Sequence, residues 1–223
     1  MRYYSFTIIA IIITLGAELF VKTAYNKYKK RLNKRGITGR EAARIVLDKN
    51  GLTDVDIEET RGYLSDHYDP RTKVVRLSSS NYNGKSIASV AVACHECGHA
   101  IQDKNNFIFL RFRNAIIPIV NLSSKAGYFA ILFGSIFSFT KLIYLGIIAE
   151  LVILLFQVVT LQVEFDASRR GLKEIKNNKL LSKNEHGKGK TVLVAAAMTY
   201  VASVASAVLE ILKLLLFMQD NED

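Results

Sequence analysis

Four apolar runs limit what this chain can fold into: residues 4–21, 115–139, 142–161 and 192–218. Crossing a bilayer core of about 30 Å takes roughly 20 apolar residues as a helix. Inside lipid the backbone must satisfy its own polar groups, so such runs become helices and not open strands. Half of the 223 residues are hydrophobic and they fall in these blocks, which predicts a mostly α membrane protein with about four transmembrane helices. The first run is preceded only by Arg2, has no small-residue cleavage site, and is followed by Lys22, Lys27, Lys29, Lys30, Arg31, Lys34 and Arg35. That order reads as an uncleaved span, not a signal peptide. The basic cluster stays in the cytoplasm against anionic headgroups, which places the N-terminus outside. A second basic segment, the loop expected over residues 162–190, carries Arg169, Arg170, Lys173, Lys176, Lys179, Lys183, Lys188 and Lys190. Four spans put both basic segments inside and the acidic tail, Gln219 to Asp223, outside.

Within the spans the polar exceptions are informative. Asn121, Ser123, Ser124 and Lys125 interrupt 115–139, so this run either spans as one helix or starts its span near Gly127, with Ala115–Leu122 as an interfacial lead-in. Thr140-Lys141 is too short a link for anything but a helical hairpin. Glu18 lies near the inner end of its span and snorkels, whereas Glu150, deep in the third run, must face protein or water. The last run is rich in small residues, Ala195, Ala196, Ala197, Ala202, Ser203, Ala205, Ser206 and Ala207, which permit close helix contact in lipid. Glu210 and Lys213, three apart, can neutralise one another.

Residues 22–113 form the larger water-facing segment. Thr38-Gly39-Arg40-Glu41 has the form of a capping box, opening a helix with Ala42, Ile45 and Val46 that ends at Gly51. Val55 and Ile57 alternate with acids as in a short strand. Asp69-Pro70-Arg71-Thr72 is a turn between two strands, and the second, Val74–Leu77, is expected to offer a free edge to an extended peptide. A small α+β unit is predicted here.

After the Asn83-Gly84 turn, Ser86 can cap a helix that carries His95-Glu96-Cys97-Gly98-His99. On a helix, imidazoles four residues apart project from one face and can hold one Zn²⁺, with Glu96 placed to handle the proton of an activated water. Zinc in a catalytic site takes three protein ligands, and the third must share a compartment with His95. The segment after the third span offers Glu164 and Asp166, ahead of Arg169 and Arg170; by spacing alone, ligation and simple neutralisation of the arginines are equally good readings. Cys94 and Cys97 fall on another side of the helix and have no second pair to complete a zinc ribbon, so they read as reduced, packed thiols. The formal charge of +10 does not make a nucleic-acid binder, since no basic face with aromatics or a reading helix accompanies it.

His-Glu-Cys-Gly-His-Ala-Ile-Gln, Ser-Asp-His-Tyr-Asp-Pro-Arg-Thr and Val-Glu-Phe-Asp-Ala-Ser-Arg-Arg together resemble the signature segments of the YugP-like neutral zinc metallopeptidases, membrane proteases with a gluzincin type of site. The resemblance covers nearly the full chain in order. It implies His95, His99 and Glu164 as zinc ligands and Glu96 as catalytic acid and base. Two departures stand out: Cys94 and Cys97 replace small or aliphatic residues, and Ser168 stands where gluzincins place aspartate after Glu-x-x-Ala. Asp166 then either supports the ligands from behind or displaces Glu164.

The function expected is hydrolysis of peptide bonds in a peptide or protein substrate, membrane-protein segments included, at the cytoplasmic surface of the cell membrane. His67, His186 and Tyr200 are candidates for stabilising the oxyanion. An intramembrane zinc protease is the alternative enzyme, disfavoured because Ser86–Gln102 is short and polar for a span. A metal-stabilised membrane scaffold is the non-enzymatic one, disfavoured because structural zinc has no need of Glu96. Substrate, cleavage preference and oligomeric state have no sequence signature.

Overall fold

The computed structural model describes residues 2–222; Asp223 of the acidic tail, with the side chains of Arg2, Asp220, Asn221 and Glu222, lies outside the described parts. The elements run α1 (Arg2–Lys29), α2 (Gly39–Lys49), β1 (Asp56–Thr60), β2 (His67–Asp69), β3 (Val74–Ser78), α3 (Ser79–Tyr82), α4 (Ile87–Lys104), α5 (Ile108–Ile136), α6 (Thr140–Asn177) and α7 (Lys183–Glu222). Among the described residues, α1, α5, α6 and α7 are long and apolar enough to cross a membrane. The protein is therefore a mostly α membrane protein carrying a small α+β unit. The chain divides into two compact units: one up to Glu18, Phe109–Gln162 and from Thr199; the other Leu19–Ile108 with Val163–Met198.

The first unit is built for lipid. Ile8, Ile12, Leu15, Phe129, Phe133, Ile148, Leu151 and Leu155 are exposed along its helices, which is stable only against hydrocarbon. Glycines draw α5 and α6 together: a Cβ on Gly127 would lie 2.6 Å from that of Ala149, and one on Gly146 would lie 2.3 Å from Ile131. Ile143, Ile147, Ile211, Leu214 and Met218 form its buried cluster. Glu150 is partly buried, with Glu210 and Lys213 as its electrostatic neighbours, and Glu210 and Lys213 are ion-paired. α5 does not break at Asn121–Lys125, nor at Pro118, and begins seven residues ahead of the apolar run. A proline costs one intrahelical bond, and helices in lipid tolerate it when the remaining bonds hold.

The second unit has an aqueous core around α4. Thr38 caps α2 reciprocally with Glu41, and the helix stops at Asn50 before Gly51 at φ +64°. The strand order is β1-β3-β2, with β1 parallel and β2 antiparallel to β3. The expectation of a free edge on Val74–Leu77 is thus corrected: β3 is central. Its Val74, Val75 and Leu77 are buried, and burying them takes neighbours on both sides. The edges fall to strands with polar faces, β1 with Asp56, Glu58 and Glu59, and β2 with His67 and Asp69. Arg76 ties the three together, reaching Glu58 at 2.9 Å and Asp69 at 3.2 Å. A second departure concerns 162–190, which is largely helix: α6 runs on to Asn177 and α7 begins at Lys183. No proline interrupts either stretch, and residues such as Glu, Lys, Leu and Arg propagate a helix as readily in water as apolar ones do in lipid.

Candidate metal centre

Ser86 caps α4, its hydroxyl accepting from the Ser89 backbone at 3.0 Å. The helix is then buried on nearly every side, with Ile87, Val90, Ala91, Cys94, Cys97 and Ile101 in the core. His95 and His99 are partly exposed, packed edge to face with centroids 4.8 Å apart. The aqueous part of α6 packs directly on this helix. Two glycines make the approach possible: a Cβ on Gly98 would lie 2.4 Å from the Ala167 carbonyl oxygen, and one on Gly171 would lie 2.7 Å from that of Cys94. Each backbone occupies the space a side chain would need.

This packing carries Glu164 to the histidines. Its Oε2 lies 3.2 Å from His95 Nε2 and 3.6 Å from His99 Nε2. Ligand atoms of the three residues all fall within 4.8 Å of one another. Two imidazole nitrogens and one carboxylate oxygen are a donor set that suits Zn²⁺ with a position left for water. Glu164 is 6% exposed, and a carboxylate so buried needs a cation or hydrogen-bond donors beside it.

Behind the imidazoles stand neutral groups. His95 Nδ1 meets Ser168 Oγ at 3.1 Å, and His99 Nδ1 meets Gln102 Oε1 at 3.0 Å. Asp166 is not in the cluster of donor atoms. Its oxygens are taken by Arg169, Arg170 and the Gln102 amide. Glu96 is 7% exposed beside this group. Burial pushes its carboxyl up to about 7, opposed by His95 and by a hydrogen bond from the Tyr68 backbone, and reinforced by Glu164 and Asp66. That backbone bond puts edge strand β2 next to the acid. Cys94 and Cys97 are buried, and burial raises both thiols far from the reactive thiolate. Cys97 Sγ donates to the Ala43 carbonyl at 3.6 Å, tying α4 to α2.

The other histidines are engaged differently. The His67 ring meets the Ser65 carbonyl at 2.8 Å, and the His186 ring meets that of Leu181 at 2.9 Å. Tyr200 lies on the part of α7 belonging to the apolar unit. From sequence, Gln102 stands only as the last residue of the His-Glu-Cys-Gly-His-Ala-Ile-Gln segment, with no role of its own, and Ser168 only as a departure from a motif. A signal for both exists: Gln102 follows His99 by three positions and Ser168 follows Glu164 by four, the spacings that share a helix face.

Known proteins match this chain along nearly its whole length. The profile of a family described as "Putative neutral zinc metallopeptidase" matches residues 3–219. "Putative membrane protease YugP" of Bacillus subtilis (strain 168) is 40% identical over 223 residues, spanning 100% of this chain and 99% of that protein. No solved structure matches the chain.

Proposed function

The chain belongs to that zinc metallopeptidase family, and on this premise we propose that it hydrolyses peptide bonds at the cytoplasmic membrane surface. The supporting observation is the convergence of Glu164, from α6, on the His95–His99 pair of α4. These three residues would hold one zinc ion, which when bound acts as a Lewis acid and lowers the pKa of water in its shell. Glu96 accepts the proton from the attacking water and returns it to the leaving amine. A carboxyl held near 7 by burial suits both transfers at neutral pH. Ser168 and Gln102 orient the two imidazoles, and the outer edge of β2 offers backbone groups to an extended substrate beside Glu96.

Two features favour a site at the surface and not within the bilayer. α4 is not among the helices apolar enough to span. Glu164 also lies three residues beyond the end of the 142–161 run. The two basic segments flanking the spans favour the cytoplasmic side. Unfolded proteins and the water-exposed tails of membrane proteins are the substrates such a site can reach.

Glu96→Gln tests the mechanism. The variant should bind zinc like the parent and lose cleavage of an unfolded protein such as casein by about 10²–10⁴-fold, the range for removing an acid–base group. Glu164→Ala should lose zinc, read by metal analysis of the purified protein. Full cleavage by the Glu96 variant would refute the assigned chemistry.

A further inference from the structure

The groups behind His99 admit one hydrogen-bonding arrangement. The Gln102 side chain is fully buried between α4 and α6. Its Nε2 lies 2.8 Å from the Val163 carbonyl oxygen and 3.0 Å from Asp166 Oδ2. A carbonyl only accepts, and so does an ionised carboxylate. Both Asp166 oxygens also receive arginine donors, from Arg169 and Arg170, so they face the amide as acceptors. The amide must therefore present its two N–H bonds to these oxygens, which leaves Oε1 facing His99 Nδ1 at 3.0 Å. An amide oxygen cannot donate, so Nδ1 must carry the proton. In a neutral imidazole the other nitrogen, Nε2, then holds a lone pair, on the side of Glu164.

His95 has no equivalent constraint. Its Nδ1 faces the Ser168 hydroxyl at 3.1 Å, which can donate or accept with equal ease. The two histidines of one motif thus differ in how far the fold has prepared them.

We propose that Asp166, acting through Gln102, presets His99 in the tautomer that offers Nε2 to the metal, which makes Asp166 and Gln102 positioning residues of the centre. The inference rests on the metallopeptidase reading for its purpose, but its geometric premise stands apart from it. It also gives Asp166 a role: the carboxylate acts two hydrogen bonds away from the ion. Arg169 and Arg170 hold that carboxylate in place as an acceptor, which stops the amide from flipping.

The chain has four histidines, few enough to resolve by ¹⁵N NMR of full-length protein in detergent. In zinc-free protein, at a pH where the ¹⁵N shifts themselves report a neutral ring, His99 should appear as one Nδ1–H tautomer. Gln102→Leu should mix the tautomers and weaken zinc binding about 10–100-fold in chelator competition, as loss of a group supporting a ligand does. Gln102→Glu keeps an acceptor toward His99 but cannot donate to both Val163 and Asp166, so it should keep the Nδ1–H tautomer while binding zinc more weakly than the parent. Mixed tautomers at His99 in the parent protein overturn the inference, and that measurement needs no variant to fold. Undiminished zinc affinity in a folded Gln102→Leu protein overturns it too. A parent that takes up no zinc while His99 is preset instead refutes the metallopeptidase reading and supports the presetting.

Discussion

Ser168 shows how one side chain tunes a centre it does not ligate. A hydroxyl orients His95 through a single neutral bond, where an aspartate would add charge. Ser168→Ala should therefore weaken zinc binding by about tenfold, the low end for such groups, as read by chelator competition. Asp69 bears on a different property, as one of the carboxylates that contribute to acid stability. Its carboxylate accepts from the Arg71 backbone and the Thr72 hydroxyl, and pairs with Arg76, which together hold it down to about 2. An ordinary aspartate titrates near 3.9. A carboxyl depressed in the folded state favours folding fully above the ordinary value, and that contribution disappears as pH falls through about 2. Acid unfolding of the isolated protein should thus steepen between roughly pH 4 and pH 2, and Asp69→Asn should flatten that window. The motif histidines were legible at this scale because a spacing of four fixes two side chains on one helix face whatever surrounds them. Gln102 was not legible because an amide has no chemistry of its own to flag it.

Among the elements, the crossing of α4 and α6 decides whether a third donor arrives. Gly98 and Gly171 each give up a side chain to the opposing backbone. Gly98→Ala would press a methyl onto the Ala167 carbonyl. Overpacking of this kind costs about 1–3 kcal/mol, and relief by separating the helices would draw Glu164 away from both imidazoles. The expected outcome is a folded protein, by circular dichroism, with a lower melting temperature and little bound zinc. Caps and turns in the aqueous unit were readable in the sequence, as with Thr38–Glu41 and the Asp69–Thr72 turn, because neighbouring residues set them. The continuation of α6 beyond the membrane run was missed because polarity was read as a loop. On one helix Glu164, Ser168 and Gly171 share a face at spacings of four and seven. That face is the one turned to α4.

For the whole molecule, the four spans and two basic segments give a topology that labelling can check. Cys94 and Cys97 are fully buried, so introduced cysteines stand out against a low background. An impermeant maleimide added to intact cells should label Ser138→Cys, between α5 and α6. It should reach Lys34→Cys and Lys183→Cys only after the membrane is opened. Labelling of either lysine site from outside would move the proposed peptidase out of the cytoplasm. The sequence alone determined the spans, the helix bearing the paired imidazoles and the small mixed unit, since each follows from periodicity or composition over a few consecutive residues. Tertiary structure alone decided that Glu164 and not Asp166 lies beside the imidazoles, and that β2 and not β3 is exposed. Residues 164 and 166 project about 200° apart on a helix, so their places depend on how α6 docks on α4. Strand order likewise depends on which apolar side chains the rest of the fold can cover.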